Sequence, residues 1–143
     1  IGSGPEEENL RRLAKKYRLK NRVFFLGRKN HPEVIRFLKN FSGFGLAPYS
    51  SQSDWTYYAD PVKIKEYLAC LVPPITNNIT EIARLVKSKR LGFVYQNNLG
   101  EILPKVASLN NKDYQGIIRN ITRQKLLLDY AVIYRKIFKA NDF

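Results

Sequence analysis

Short apolar runs and stretches with helical spacing alternate along the first two thirds of this chain, and that alternation limits the possible folds severely. Val23-Phe24-Phe25-Leu26 reads as a buried strand closed by Gly27. Phe44-Gly45-Leu46-Ala47, a stretch near Pro74 to Thr76, and Gly92-Phe93-Val94-Tyr95 read as further strands. Between them lie helical patterns: Glu6 to Tyr17 with Leu10, Leu13, Ala14 and Tyr17 on one face, a helix opened by Pro32 with Val34, Ile35 and Leu38, Asp60 to Cys70, and about Thr80 to Lys87. Parallel strands need crossover connections, and right-handed crossovers dominate. The expected fold is therefore α/β, a Rossmann-like parallel sheet with helices on both faces.

From Asn98 onward only helices are expected, over about Leu99 to Leu109, Lys112 to Arg123 and Lys125 to Lys139. The last has a broad apolar stripe through Leu126, Tyr130, Ile133, Tyr134 and Ile137, so it must pack on something. No internal repeat or interior linker divides the chain, and residues 1–143 read as one domain, within the usual span of roughly 100 to 200 residues. Ile1 directly precedes the turn Gly2-Ser3-Gly4-Pro5. The expectation is a chain that begins at the end of a strand, with its amino-terminal edge truncated.

Charge enters as a constraint on partners. The formal net charge is +13, which suits phosphate-bearing ligands, nucleic acid or an anionic membrane surface without choosing among them. The densest basic run is Arg11 to Arg22, and Glu6, Glu7 and Glu8 precede it at the positive end of the helix dipole. No apolar run approaches the ~20 residues of a membrane-spanning helix, and no signal peptide is visible. The single Cys70 cannot form an internal disulfide, and an intracellular protein is the simplest expectation.

Ligands of open parallel sheets bind at the carboxyl ends of the strands. The most suggestive segment there is Asp60-Pro61-Val62-Lys63-Ile64-Lys65-Glu66. Asp60 is a good N-cap and Pro61 suits the first helical position, so a helix starts at a defined point. Lys63 and Glu66, three residues apart, share a face beside free backbone N–H groups. Such a place fits an anionic, hydroxylated ligand. The loop Pro48 to Ala59 carries Tyr49, Trp55, Tyr57 and Tyr58, whose faces suit a sugar or base and equally suit packing. Asn77 and Asn78 can cap the next helix or face the crevice, and Glu81 needs no more than dipole complementarity. Gly2-Ser3-Gly4 lacks the third glycine of a dinucleotide fingerprint and reads as a tight turn. His31 and Cys70 lack partners at metal or nucleophile spacing, so no metal site is expected and both read as structural.

These pieces resemble, in their order and spacing, the C-terminal nucleotide-sugar-binding domain of group 1 (family 4) glycosyltransferases, one half of the two-domain GT-B fold. The resemblance runs through Ile1-Gly2-Ser3-Gly4-Pro5-Glu6, Arg22 to Arg28, Leu46-Ala47-Pro48-Tyr49, Asp60 to Cys70 with Pro73, Glu81-Ile82-Ala83 and Leu91 to Val94. It implies transfer of a sugar from a nucleotide diphosphate donor, with no further cofactor, to a saccharide or lipid-linked acceptor in polysaccharide or glycoconjugate synthesis. The acceptor would be held by an N-terminal domain of the same enzyme, so this chain alone would not turn over. The implied setting is cytoplasmic, peripheral to the membrane's inner face.

By the same resemblance, Glu66 matches the second glutamate of the family's paired motif and would bind the ribose hydroxyls. The N–H groups around Val62 and Lys63 match the helix start that receives the diphosphate. Lys63 and Asp60 would serve catalysis, Lys63 by stabilising the departing diphosphate. Gly27 and Arg28 would border the base, and Asn77 would face the donor. Two departures stand out. The family's first glutamate, which meets the donor sugar, falls at Tyr58, leaving that role vacant or passed to Asp60, and the usual Gly-Leu-Pro before the following strand is Leu71-Val72-Pro73. The competing reading is a basic α/β module that binds nucleic acid without enzymatic activity, although no recognised nucleic-acid motif is present and no nucleic-acid partner is expected.

Overall fold

The computed structural model describes residues 1–50 and 62–128, with side chains as far as residue 124. Asp60, Pro61, Tyr58, Trp55 and Tyr57, and the expected helix from Lys125 to Lys139 beyond Leu128, lie outside the described residues. The chain forms two compact units, Ile1–Phe37 and a second beginning at Leu38.

In the first unit, helix α1 (Glu7–Lys16) has Glu7 and Glu8 in its first turn and Lys15 and Lys16 in its last, the arrangement that the dipole favours. Its apolar positions are not covered: Leu10 is 51% and Tyr17 63% exposed. Val23 to Leu26, expected as a buried strand, belongs to no sheet among the described residues, and Phe24 is 72% exposed. A strand requires a ladder; the bonds beside this segment run from the Gly2 N–H to the Gly27 carbonyl at 2.8 Å and from the Val23 N–H to the Leu19 carbonyl at 2.9 Å. Helix α2 (His31–Lys39), within which the boundary between the units falls, starts with a reciprocal cap. The Asn30 N–H donates to the Glu33 carboxylate, and the Glu33 N–H donates to Asn30 Oδ1, both at 3.0 Å. His31 is thus the first residue of a helix rather than part of a loop.

The second unit holds a parallel sheet in the order β1 (Gly45–Ala47), β2 (Pro74–Asn77), β3 (Phe93–Tyr95). Leu46 aligns with Ile75 and Ile75 with Phe93, while Ala47 aligns with Thr76 and Thr76 with Val94. Because side chains alternate across a strand, this register sorts the core into two layers. Ala47 and Val94 face a cluster with Ile64 and Leu68 of α3 (Val62–Ala69), Val86 of α4 (Glu81–Ser88) and Ile121 of α6 (Asn111–Leu128). Ile75 and Tyr95 face a second cluster with Ile102, Phe44, Phe93 and Val106, the last from the short helix α5 (Leu103–Ala107). Helices therefore cover both faces of a Rossmann-like α/β unit. Sequential strand order with α3 and α4 on one face is what crossovers of a single hand produce.

Two spacings bring backbone and ring too close for a side chain to intervene. A Cβ on Gly45 would collide with the Tyr67 ring, and one on Gly92 would collide with the Pro74 carbonyl. Three helices end in the same way. After α1, α3 and α4 the chain turns through Arg18, Leu71 and Arg90 at φ 55°, 60° and 54°. In each, the next residue's N–H reaches back to the last turn: Leu19 to Ala14, Val72 to Tyr67, Leu91 to Val86, at 2.8 to 2.9 Å. These are Schellman turns with a bulky residue where glycine is usual. Leu71, where the resembled glycosyltransferases carry glycine, takes up the left-handed conformation in that way.

The tail differs from expectation in its breaks. Leu99 to Leu109 is a 3-10 turn (Leu99–Glu101) followed by α5 rather than one helix, because Glu101 turns back to bind backbone N–H groups upstream. The break expected after Arg123 is absent, and α6 runs through it. Asn110 caps α6, its Oδ1 accepting the Asp113 N–H at 2.9 Å. Tyr114 of α6 is tied to Gly43, accepting its N–H at 3.1 Å and donating to its carbonyl at 3.2 Å. Among the described residues, no helix is long and apolar enough to cross a membrane.

Candidate functional site at the carboxyl edge of the sheet

Helix α3 follows the loop that leaves β1, and a crossover helix runs against its strands. Its amino end therefore lies at the carboxyl edge of the sheet, where open α/β folds bind ligands. Ile64 and Leu68 are buried against the sheet and orient the helix. That leaves Val62, 62% exposed, and Lys63 on the solvent side of the first turn, with Glu66 half-buried one turn later. The N–H groups of this turn and the Lys63 ammonium supply positive potential, and Glu66 supplies a carboxylate acceptor.

Glu66 stands beside a pair of tyrosines. The Tyr67 ring lies against Gly45, and its hydroxyl is 3.4 Å from the Leu46 carbonyl. Burial raises the Tyr67 hydroxyl above its ordinary pKa, and the neighbouring Glu66 carboxylate adds to that. Tyr49 is raised by burial and then by Tyr67.

Asn77 ends β2 at the same edge and is buried. Its amide is committed to Tyr49, accepting the Tyr49 N–H and donating to the Tyr49 carbonyl. Asn78 donates its N–H to the Tyr95 carbonyl at 3.0 Å, and Thr76 Oγ1 donates to the Ala47 carbonyl at 2.8 Å. The carboxyl ends of all three strands are thus bonded to one another beyond the ladder. After β3, the N–H groups of Gln96, Asn97 and Asn98 converge on the Glu101 carboxylate at 3.0, 3.1 and 3.4 Å. They hold its pKa below the usual carboxylate range.

Gly27 and Arg28 belong to the first unit. Gly27 has φ 65°, a conformation that favours glycine, and Arg28 is exposed. Among the described residues no group of three or more His, Cys, Asp or Glu could hold a metal ion, and Cys70 is a buried free thiol. A surface cavity of about 290 Å³ lies elsewhere, between Phe44, Val106, Leu109 and Tyr114, at the amino edge of the sheet.

With this geometry in view, residues 7–140 match the family model described as the glucosyltransferase 3-like, C-terminal domain. The chain belongs to this family. It is accordingly a glycosyltransferase-related domain. No curated protein matches the chain.

Of the residues singled out from sequence, this glucosyltransferase 3-like domain brings Val62, Lys63, Glu66 and Asn77 to one edge of the second unit. Three features there were not foreseen. Tyr67 was visible only as part of the helix pattern, yet its ring sets the spacing to β1. The Asn77 clamp on Tyr49 spans 28 residues, so no local pattern announces it. The Asn98-x-x-Glu101 spacing is a capping-box signature and was the one available signal for the Glu101 contact.

Proposed function

We propose that this domain binds the nucleotide diphosphate sugar of a glycosyltransferase and presents it for transfer to a saccharide or lipid-linked acceptor. The observation that carries the reading is the first turn of α3, with exposed Val62 and Lys63 and half-buried Glu66 at the carboxyl edge of a parallel sheet. Backbone N–H groups at Val62 and Lys63 receive the diphosphate, as helix amino ends do. Lys63 offsets the negative charge that grows on the leaving diphosphate as the glycosidic bond breaks. Glu66 accepts hydrogen bonds from the ribose hydroxyls, and Asp60 serves at the sugar end. Gly27 and Arg28 keep the role that the resemblance implies, contact with the base, and Tyr58 occupies the position of the family's sugar-binding glutamate.

Asn77 acts by positioning rather than by direct contact, since its amide already holds Tyr49. The acceptor belongs to an N-terminal domain of a GT-B enzyme, and the setting is the cytoplasmic side of a membrane where glycoconjugates are built.

The test is an amide NMR titration of the domain with uridine and guanosine diphosphates. Shifts concentrated at residues 62–67 are expected for one of the two nucleotides. Shifts confined to other surfaces, or none with either nucleotide, would overturn the assignment of this edge.

A further inference from the structure

Outside that site, the second unit carries one surface whose charge neither the fold nor the proposed chemistry uses. Helix α4 ends in Lys87-Ser88-Lys89-Arg90, all exposed. The Schellman turn at Arg90, φ 54°, folds the chain back into Leu91, which is buried, and so leaves the cations outside. Helix α6 passes beside this turn: Asn120 Nδ2 donates to the Arg90 carbonyl at 3.2 Å. Arg119 and Arg123 flank Asn120 on α6 and are exposed. Five exposed cations on two helices thus lie within three residues in sequence of one hydrogen bond between those helices.

Acids are absent from both stretches of sequence. The sequence has no Asp or Glu from residue 82 to 100 or from 114 to 128. Dipole complementarity accounts for Lys87 and Lys89 at a helix carboxyl end. It does not account for Arg119 and Arg123, which lie in the middle of α6.

We propose that this surface, Lys87, Lys89, Arg90, Arg119 and Arg123, docks the domain on an anionic lipid bilayer. The patch is built from a helix end and a helix flank, with flexible side chains and no enclosed cradle for a single phosphate. Its five residues include no aromatic ring for base stacking, which single-stranded nucleic-acid binders rely on. A plane of anionic headgroups needs neither, because each cation near the surface contributes separately. The patch precedes β3 and so lies at the amino edge of the sheet, at the opposite end of the strands from Asn77 and α3's first turn. A domain resting on it keeps the carboxyl edge open. This inference does not depend on the nucleotide-sugar reading.

The test is vesicle co-sedimentation of the full chain at low salt, with phosphatidylcholine alone and with an equimolar mixture of phosphatidylcholine and phosphatidylglycerol. Binding to the mixture and not to phosphatidylcholine is expected. At about fivefold per cation, Lys89→Gln/Arg119→Gln/Arg123→Gln should weaken partitioning about 100-fold. The control Arg11→Gln/Arg12→Gln/Lys15→Gln, of the same net charge, should weaken it less than about tenfold. Thermal melts establish that the variants fold. Should the first triple not fold, Arg119→Gln/Arg123→Gln replaces it, with about 25-fold expected. Equal loss from the two sets, equal binding to neutral vesicles, tighter binding of an RNA duplex at the same salt, or no vesicle binding would each overturn the proposal.

Discussion

The side-chain amide of Asn77 clamps the backbone of Tyr49 through two hydrogen bonds. Oδ1 accepts the Tyr49 N–H at 3.1 Å, and Nδ2 donates to the Tyr49 carbonyl at 2.5 Å. In effect it continues the sheet past Ala47 and sets where the loop toward α3 departs. Asn77→Ala would leave both Tyr49 groups without this partner in a part-buried place, at a cost of about 2 kcal/mol in urea unfolding. Asn77→Asp keeps the acceptor but turns a carboxylate oxygen toward the Tyr49 carbonyl, and it should cost at least as much. A change of less than about 0.5 kcal/mol for either variant would mean that the clamp is not a stabilising element.

Glu66 tests the ligand assignment separately from the fold. Its side chain is half-buried on the open side of α3, away from Ile64 and Leu68. Glu66→Ala should lower the affinity for the nucleotide that shifts the amide spectrum by about tenfold, or ~1.4 kcal/mol, in calorimetric titration. An unchanged Kd would remove the ribose role from Glu66 while leaving family membership intact.

Glu101 predicts a dependence on pH. Backbone N–H groups, that of Gln96 first, hold its pKa below the ordinary carboxylate range. A depressed folded-state value gives stability that is fully present above the unfolded glutamate pKa and is lost as pH falls through the folded one. Glu101→Gln should therefore be less stable than the parent at neutral pH, and the difference should close in acid. Parallel denaturation curves at the two extremes check this, and a gap that widens in acid would contradict it.

The three bulky residues at left-handed φ separate backbone strain from packing. At Arg18 an exposed side chain sits where L-residues are disfavoured by roughly 1 kcal/mol. Arg18→Gly should therefore gain up to about 0.5 kcal/mol once the greater freedom of glycine in the unfolded chain is subtracted. Leu71 shares the conformation but packs against the core cluster. Leu71→Gly should show no gain and a net loss of about 1 kcal/mol, because a partly buried leucine is removed. Thermal unfolding that ranked the two variants in the opposite order would refute this division.

Gly45 is needed because of Tyr67. A methyl group at residue 45 would enter the Tyr67 ring, so Gly45→Ala should cost about 2 kcal/mol through overpacking. In a Tyr67→Ala background the same change should cost much less, a coupling that a double-mutant cycle measures. Additive losses would place the cause in the backbone instead.

How much of this was legible beforehand follows from how far each feature reaches along the chain. The strands at Gly45–Ala47, Pro74–Asn77 and Phe93–Tyr95 and the helices between them were readable, because apolar periodicity is written within a few residues. Val23 to Leu26 carries the same strand signal but forms no ladder among the described residues, and periodicity cannot supply a partner. The Schellman turns went unseen because glycine is the usual sign of one, and Arg18, Leu71 and Arg90 stand in its place. At the candidate site, the placement of Lys63 and Glu66 on one helix was legible from a spacing of three. The links of Asn77 to Tyr49 and of Tyr67 to Gly45 were not, since their partners lie 22 or more positions away.

The sequence by itself determined the fold class, the position of α3 after a strand and the excess of positive charge, all carried by local pattern and composition. Only the tertiary structure decided which side chains face each core layer, that Asn77 holds Tyr49 rather than standing free, and that Arg119 and Arg123 join the end of α4. Parallel strands pair only across long crossovers. Their register, and every contact that depends on it, is therefore a property of the packed chain rather than of any segment.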